Sequence, residues 1–108
     1  MAIPREISEQ LRACGGVDGL QQQIPSDEDL SVLSRCHNAL SDPVRLKILY
    51  ALRAQPLCVC VIKEIVSIAD SRLSYHLNVL KAAGLIVGVQ QGNWIIYSIS
   101  DLGRTGLQ

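Results

Sequence analysis

Apolar and polar positions along this chain alternate first at helical and then at strand spacing. Between Arg5 and Cys14, the apolar residues Ile7, Leu11 and Cys14 fall at i, i+4 and i+7, the stripe of a short helix that Gly15-Gly16 stops. The polar, glycine-containing stretch from Gly15 to Gln23 reads as a linker or loose arm. Ser26-Asp27-Glu28-Asp29 has the form of a capped helix start with acids at the positive end of the dipole, and Leu30, Leu33, Cys36 and Leu40 continue its apolar stripe to about Leu40. Ser41-Asp42-Pro43 is a second start signal, with a capping side chain ahead of a proline in the first turn, where a missing N–H costs nothing. Val44, Ile48, Leu49 and Leu52 supply its buried face until Gln55-Pro56 ends it.

A further helix is expected from about Cys58 to Ala69, burying Val61, Ile62, Ile65 and Val66. Asp70 is placed to cap another from Ser71 to about Ala83, with Leu73, Leu77 and Leu80 inward and Gly84 as the exit. Beyond Gly84 the pattern turns strand-like: Leu85 to Gln90, a Gly92-Asn93 turn, then Trp94 to Ser98 with β-branched and aromatic residues. Three helices, the last two joined by a tight turn, followed by a two-stranded hairpin form a winged helix-turn-helix in order and length. The fold class expected is mainly α with a β-hairpin wing (α+β). The organisation expected is an N-terminal arm with a short helix over 1–25 and the winged domain over 26–108.

At 108 residues, 48% of them hydrophobic and 19% charged, the composition is that of one globular domain with a modest core. No apolar run approaches the roughly 20 residues that cross a bilayer, and residues 1–10 lack the apolar stretch of a signal peptide. A cytoplasmic protein with no membrane partner is expected. The formal net charge of zero hides a division: residues 1–40 sum to −3 and residues 41–82 to +3, so the basic excess lies over the helix-turn-helix. No nucleophile-base-acid set, phosphate loop or metal-protease helix is present, and an enzyme is not expected.

With Leu73, Leu77 and Leu80 at the centre of the buried side, Ser71, Tyr75 and Asn78 lie opposite, flanked by Arg72, Ser74 and Lys81. In a major groove Asn78 can read adenine bidentately, Arg72 can pair with guanine or phosphate, and the hydroxyls suit phosphate oxygens. Periodicity alone leaves a second reading open, that of an ordinary solvated helix face. His76, at the edge of the leucine stripe, is expected to be a hydrogen-bonded core-edge residue rather than a ligand. Trp94 and Tyr97 are expected to pack. The wing tip at Gly92-Asn93 has no Lys or Arg with which to hold a minor groove firmly.

The segments Ala39-Leu40-Ser41-Asp42-Pro43-Val44-Arg45-Leu46-Lys47-Ile48-Leu49, Leu57-Cys58-Val59-Cys60, Ser74 to Ile86 and Trp94-Ile95-Ile96-Tyr97-Ser98 resemble the ArsR/SmtB family of winged-helix repressors over more than half the chain. The resemblance implies a homodimer that occupies a partly palindromic double-stranded operator and represses until an inducer arrives. It also carries DNA recognition to Ser71, Arg72, Ser74, Tyr75, Asn78 and Lys81, with Tyr75 standing where the family often has histidine.

Four cysteines without an export signal favour metal or redox chemistry over structural disulfides. Cys58 and Cys60 stand one residue apart at a helix start. Side chains at i and i+2 of a regular helix diverge, so joint chelation requires one of them to lie in an unwound first turn. Helix-start N–H groups favour thiolates, and thiolates prefer soft ions such as arsenite, cadmium, lead or zinc. In the resembled family Cys58-Val59-Cys60 matches the inducer-binding motif, so an ion of this class is the implied inducer and no permanently bound cofactor is implied. Family members with all ligands on this helix carry a third cysteine where this chain has Lys63. The implied third ligand is then Cys14, from an N-terminal arm laid against the partner subunit, with Cys36 second and more naturally a buried small hydrophobe. A disulfide-switched repressor without metal, or a winged-helix regulator with no thiol inducer, are the alternatives. The usual C-terminal dimerisation helix is expected to be reduced to Asp101–Gln108 or absent, leaving the Ser26–Leu40 helix and the arm to hold a dimer.

Overall fold

A computed structural model describes residues 2–108. The chain divides within one helix into two compact units, residues up to Ser31 and residues Val32–Gln108. The first contains helices α1 (Arg5–Ala13) and α2 (Gly16–Gln23), which pack on each other, and the first turn of α3 (Asp27–Leu40). The expected loose arm after Gly15 is therefore a helix. Gly15 and Gly16 both take positive φ, which breaks the path between α1 and α2 as foreseen, but Gly16 then serves as the first residue of a new helix. Its polar run Gln21-Gln22-Gln23 gave little periodicity from which to read that helix. Ser26 accepts the Asp29 N–H at 3.1 Å, the cap expected at the head of α3.

The second unit continues with α4 (Pro43–Ala54), β1 (Leu57–Cys58), α5 (Val59–Val66), α6 (Asp70–Ala82), β2 (Ile86–Gln91), β3 (Trp94–Ile99) and α7 (Asp101–Gly106). Asp42 caps α4 by accepting from the Val44 and Arg45 amides, with Pro43 opening the helix. The leucine and isoleucine faces meet as expected: Ile48, Leu49 and Leu52 of α4, Ile62 of α5 and Leu73, Leu77 and Leu80 of α6 are fully or almost fully buried, with Leu85 and Tyr97 closing the core from the sheet side. Each such side chain withdraws about 1.5–3 kcal/mol of apolar surface from water, which is what fixes α4 against α5 and α6.

The sheet is three-stranded and antiparallel, in order β1-β3-β2, so the wing is more than a hairpin. Two residues just before α5 pair with its central strand, Leu57 with Tyr97 and Cys58 with Ile96, and two residues are too few to show alternation in the sequence. The helix expected over Cys58–Ala69 is shorter for the same reason at its start. At its end Ser67 takes a left-handed conformation, and the turn to α6 begins there. Only Ile62 and Val66 of the buried set expected on α5, one turn apart on a single face, are enclosed, and Val61 and Ile65 on the adjoining face are exposed. Gly84 does end α6 at positive φ, with the Leu85 N–H bonding the Leu80 carbonyl and the Gly84 N–H that of Lys81, the Schellman arrangement. Helix α7 is short but capped: Ser100 accepts the Gly103 amide and donates to the Gly84 carbonyl, tying the C-terminal turn to the exit of α6. Among the described residues no helix is long and apolar enough to cross a membrane.

Candidate nucleic-acid interface and thiol pair

Helix α6 carries its polar front where periodicity put it. Ser71, Arg72, Ser74, Tyr75, Asn78 and Lys81 are all exposed, Tyr75 at 61%, while Leu73, His76, Leu77 and Leu80 form the buried back. Three residues, Ser67, Ile68 and Ala69, separate α5 from α6, the short turn that holds a projecting helix against its support. Asp70 is not the cap of α6. Ala69 holds that position without a side-chain bond, and Asp70 is the first helical residue, ion-paired with Lys63 across the turn. A carboxylate there still complements the helix dipole. Lys81 Nζ sits 6.0 Å from the centre of the Tyr97 ring, linking the far end of the front to the wing.

Behind this face lies a polar cluster that the apolar periodicity of α4 did not signal. Arg45 is only 6% exposed; its Nε donates to the Ala39 carbonyl at 2.8 Å, one terminal nitrogen donates to the Asn38 carbonyl at 3.1 Å, and the other to His76 Nδ1 at 3.0 Å. The guanidinium has donors only, so His76 must accept at Nδ1 and carry its proton on Nε2. The expected core-edge, hydrogen-bonded histidine is what is found, 5% exposed. Arg45 thus satisfies carbonyls at the C-terminal end of α3 and at the same time holds the back of α6.

The thiols fall into three environments. Cys36 is buried and donates to the Ala83 carbonyl at 3.4 Å, the role of a small hydrophobe in the core. Cys14 is exposed where α1 ends, and with Ile7, Gln10, Leu11 and Leu20 it lines a shallow groove of about 260 Å³ within the first unit. Cys58 and Cys60 are brought together, their sulfurs 2.7 Å apart. The requirement for one unwound residue is met by β1: Cys58 has extended backbone and precedes the helix, and Cys60 is the second residue inside it. The Cys60 S–H, followed by the Val61 amide, lowers the Cys58 pKa against a smaller desolvation cost. Cys60 is pushed the other way, first by that same bond to Cys58, then by desolvation and the neighbouring sulfur's charge. The two thiols are therefore pushed in opposite directions, Cys58 being the one that gives up its proton first. Among the described residues of one chain, no three His, Cys, Asp or Glu side chains gather into a group that could hold a metal ion.

Cys60 also borders a groove of about 400 Å³ formed by Val59, Lys63 and Asp70 on the helices and Asn93, Trp94 and Ile95 on the wing. Trp94 is 59% exposed, contrary to the packing role expected of it, because it opens β3 beside the turn, beyond the reach of the helical core. Tyr97, three residues on, is buried as expected.

Comparison with known proteins agrees with this geometry. Residues 42–87 match the family described as bacterial regulatory protein, arsR family. The arsenical resistance operon repressor of Bacillus subtilis is 40% identical over 86 residues, covering 75% of this chain and 82% of that protein. A transcriptional repressor SmtB homolog of Synechocystis is 29% identical over 82 residues, 76% of this chain, and the chain spans only 62% of it. Among solved structures, the homodimeric winged helix-turn-helix DNA-binding domain of a possible ArsR-family regulator from Mycobacterium bovis superposes with a TM-score of 0.69 at 27% identity, over 77% of this chain and 82% of that one. The order of elements, the projecting polar front of α6 and these likenesses lead to one assignment: the chain belongs to the ArsR family of winged helix-turn-helix, DNA-binding transcriptional regulators.

Proposed function

We propose that this protein is a cytoplasmic, homodimeric transcriptional repressor that leaves its operator when a thiophilic metal or metalloid ion of the arsenite, cadmium, lead or zinc class binds Cys58 and Cys60. The observation that carries the reading is the placement of two sulfurs within 2.7 Å at the head of the helix that supports α6. One sulfur stands on extended backbone and the other inside the helix, so an ion bridging them loads the junction between strand and helix. Lys63, one turn after Cys60, is ion-paired with Asp70 at the start of α6, which gives a movement of α5 a direct hold on the DNA-facing helix. For an ion that needs a third thiolate, Cys14 of the partner's arm is the source. Dimer formation is supported by the homodimeric relative and by apolar side chains left exposed on α3, Val32 and Leu33 among them. On the operator, Ser71, Arg72, Ser74, Tyr75, Asn78 and Lys81 are the contact residues, with two half-sites about one helical turn apart.

Titration of the operator complex with arsenite or cadmium tests this. Release and inducer binding are linked by a coupling free energy of roughly 1–3 kcal/mol, so DNA must weaken inducer binding by the same factor that inducer weakens DNA binding. Cys58→Ser and Cys60→Ser preserve size but remove the soft ligand. Each is expected to bind operator like the parent and to remain bound when the ion is added. Under strong reductant, release by the ion supports coordination; release seen only on oxidation identifies a disulfide switch instead. If both serine variants still leave DNA on addition of the ion, the cysteine pair is not the sensor.

A further inference from the structure

The wing sheet ends on one side in an open strand: in the order β1-β3-β2, β2 has a neighbour on one flank only. The Ser100 N–H bonds the Leu85 carbonyl at 3.0 Å, and pairing then runs residue for residue from Ile86–Ile99 to Gln91–Trp94. Leu85, Val87, Val89 and Gln91 therefore turn their N–H and C=O groups toward β3, and Ile86, Gly88 and Gln90 turn theirs outward, where they meet no backbone partner among the described residues. Edges of this kind are normally blunted by a charge, a proline or a bulge. β2 has none of these: Ile86-Val87-Gly88-Val89-Gln90-Gln91 is uncharged and free of proline, and its register skips no residue. Gly88 lies on the core side, where a Cβ would meet the Tyr97 ring at 2.9 Å, which leaves Val87 and Val89, each 52% exposed, on the outer face.

We propose that β2 pairs with β2 of a second copy, antiparallel about a two-fold axis at Gly88, as a contact between neighbouring homodimers. That the units in contact are dimers rests on the homodimer reading above. The strand is its own complement. With Gly88 opposite Gly88, Ile86 stands opposite Gln90, and the outward N–H and C=O groups of both copies are all bonded at once. Val87 then faces Val89 of the second copy, about 5 Å apart between Cβ atoms, so the outer apolar face continues across the axis. With no charged residue between Lys81 and Asp101, no like charges are opposed. Two six-residue strands bury less than the roughly 1,200 Å² of a stable interface, so the contact forms and breaks between dimers and does not hold one together.

Hydrogen–deuterium exchange of the full chain, resolved by residue and followed across protein concentration, reads the pairing directly. The Val87 and Val89 amides are protected by β3 at every concentration. Those of Gly88 and Gln90 are expected to exchange freely in dilute solution and about tenfold more slowly once about nine-tenths of the chains are paired. Sedimentation velocity tests the register. Val87→Lys with Val89→Lys sets like charges opposite each other and should abolish association beyond the dimer, whereas Val87→Glu with Val89→Lys sets opposite charges across the axis and should restore it, now weakened by salt. Both positions are exposed, so neither double change enters the core. Exchange at Gly88 and Gln90 that ignores concentration, or a Glu/Lys variant that associates no better than the Lys/Lys variant, would overturn the proposal. Failure of the homodimer reading looks different: the Lys/Lys variant sediments as a monomer, while Gly88 and Gln90 of the parent still gain protection with concentration.

Discussion

Asp42 shows how one side chain can set the start of a helix and a pH dependence together. Its Oδ1 accepts the amides of Val44 at 2.8 Å and Arg45 at 3.2 Å. Desolvation pushes this carboxyl up, but the two N–H bonds and the nearby Arg45 charge outweigh it and hold the pKa below the ordinary carboxylate value. A folded pKa below the unfolded one means the stabilisation is present above about pH 4 and is lost as pH falls through the lowered folded value. Asp42→Ala is expected to lower unfolding free energy by about 1 kcal/mol at pH 7, and Asp42→Asn by much less, since an amide oxygen still caps. Urea titrations at pH 7 and pH 3 check this: the gap between the parent and the alanine variant should narrow in acid, where the carboxyl loses its charge but keeps an oxygen for the cap. An equal gap at both pH values would show that the carboxylate charge contributes nothing.

At the scale of elements, α6 and the wing divide the work unequally. Between Lys81 and Asp101 the chain has no charged residue, so the whole hairpin of β2 and β3 is electrically neutral, whereas α6 presents Arg72 and Lys81. Counterion release then belongs to the helix. Replacing Arg72 by alanine should reduce the slope of log affinity against log salt by about one unit, while Asn93→Ala at the wing tip should leave the slope as it was. Binding isotherms between 50 and 200 mM salt, roughly the span over which such slopes are read, distinguish the two; a slope that falls with Asn93→Ala would make the wing a phosphate contact. The elements that could be read from sequence were those with strong local signals: the Ser26 and Asp42 caps, the Leu73-Leu77-Leu80 stripe, the Gly84 exit and the polar front of α6. Those that could not were fixed by tertiary partners. Two residues become β1 only because Ile96 and Tyr97 lie beside them, and Ser67 ends α5 in a left-handed conformation that its residue type does not announce. The pairing of Cys58 with Cys60 was legible as a requirement, one residue outside the helix, but the strand that meets it was not. Trp94 departs from the packing role expected of an aromatic residue in a strand because, at the first position of β3, it borders an open groove and not the core.

Over the whole molecule, the −3 of residues 1–40 and the +3 of residues 41–82 set an acidic N-terminal portion apart from a basic helix-turn-helix. One of those basic residues is not on the surface to contact DNA, because Arg45 is enclosed, joining Asn38 and Ala39 of α3 to His76 of α6. That single side chain reaches a residue 31 positions further along the sequence, and three acceptors are left without its donors if it is lost. Its consequence is kinetic as well as energetic. Local opening of α6 away from the core requires the C-terminal turn of α3 to give up its donors at the same moment, so the slowly exchanging amides of the two helices should open as one cooperative unit, with one common protection free energy. Arg45→Met, which fills a similar volume without donors, should split that unit, so that the last turn of α3 exchanges by fraying while α6 keeps its own, lower protection. Hydrogen–deuterium exchange followed residue by residue decides it: two helices that already exchange independently in the parent would mean that the guanidinium fills space but does not couple them.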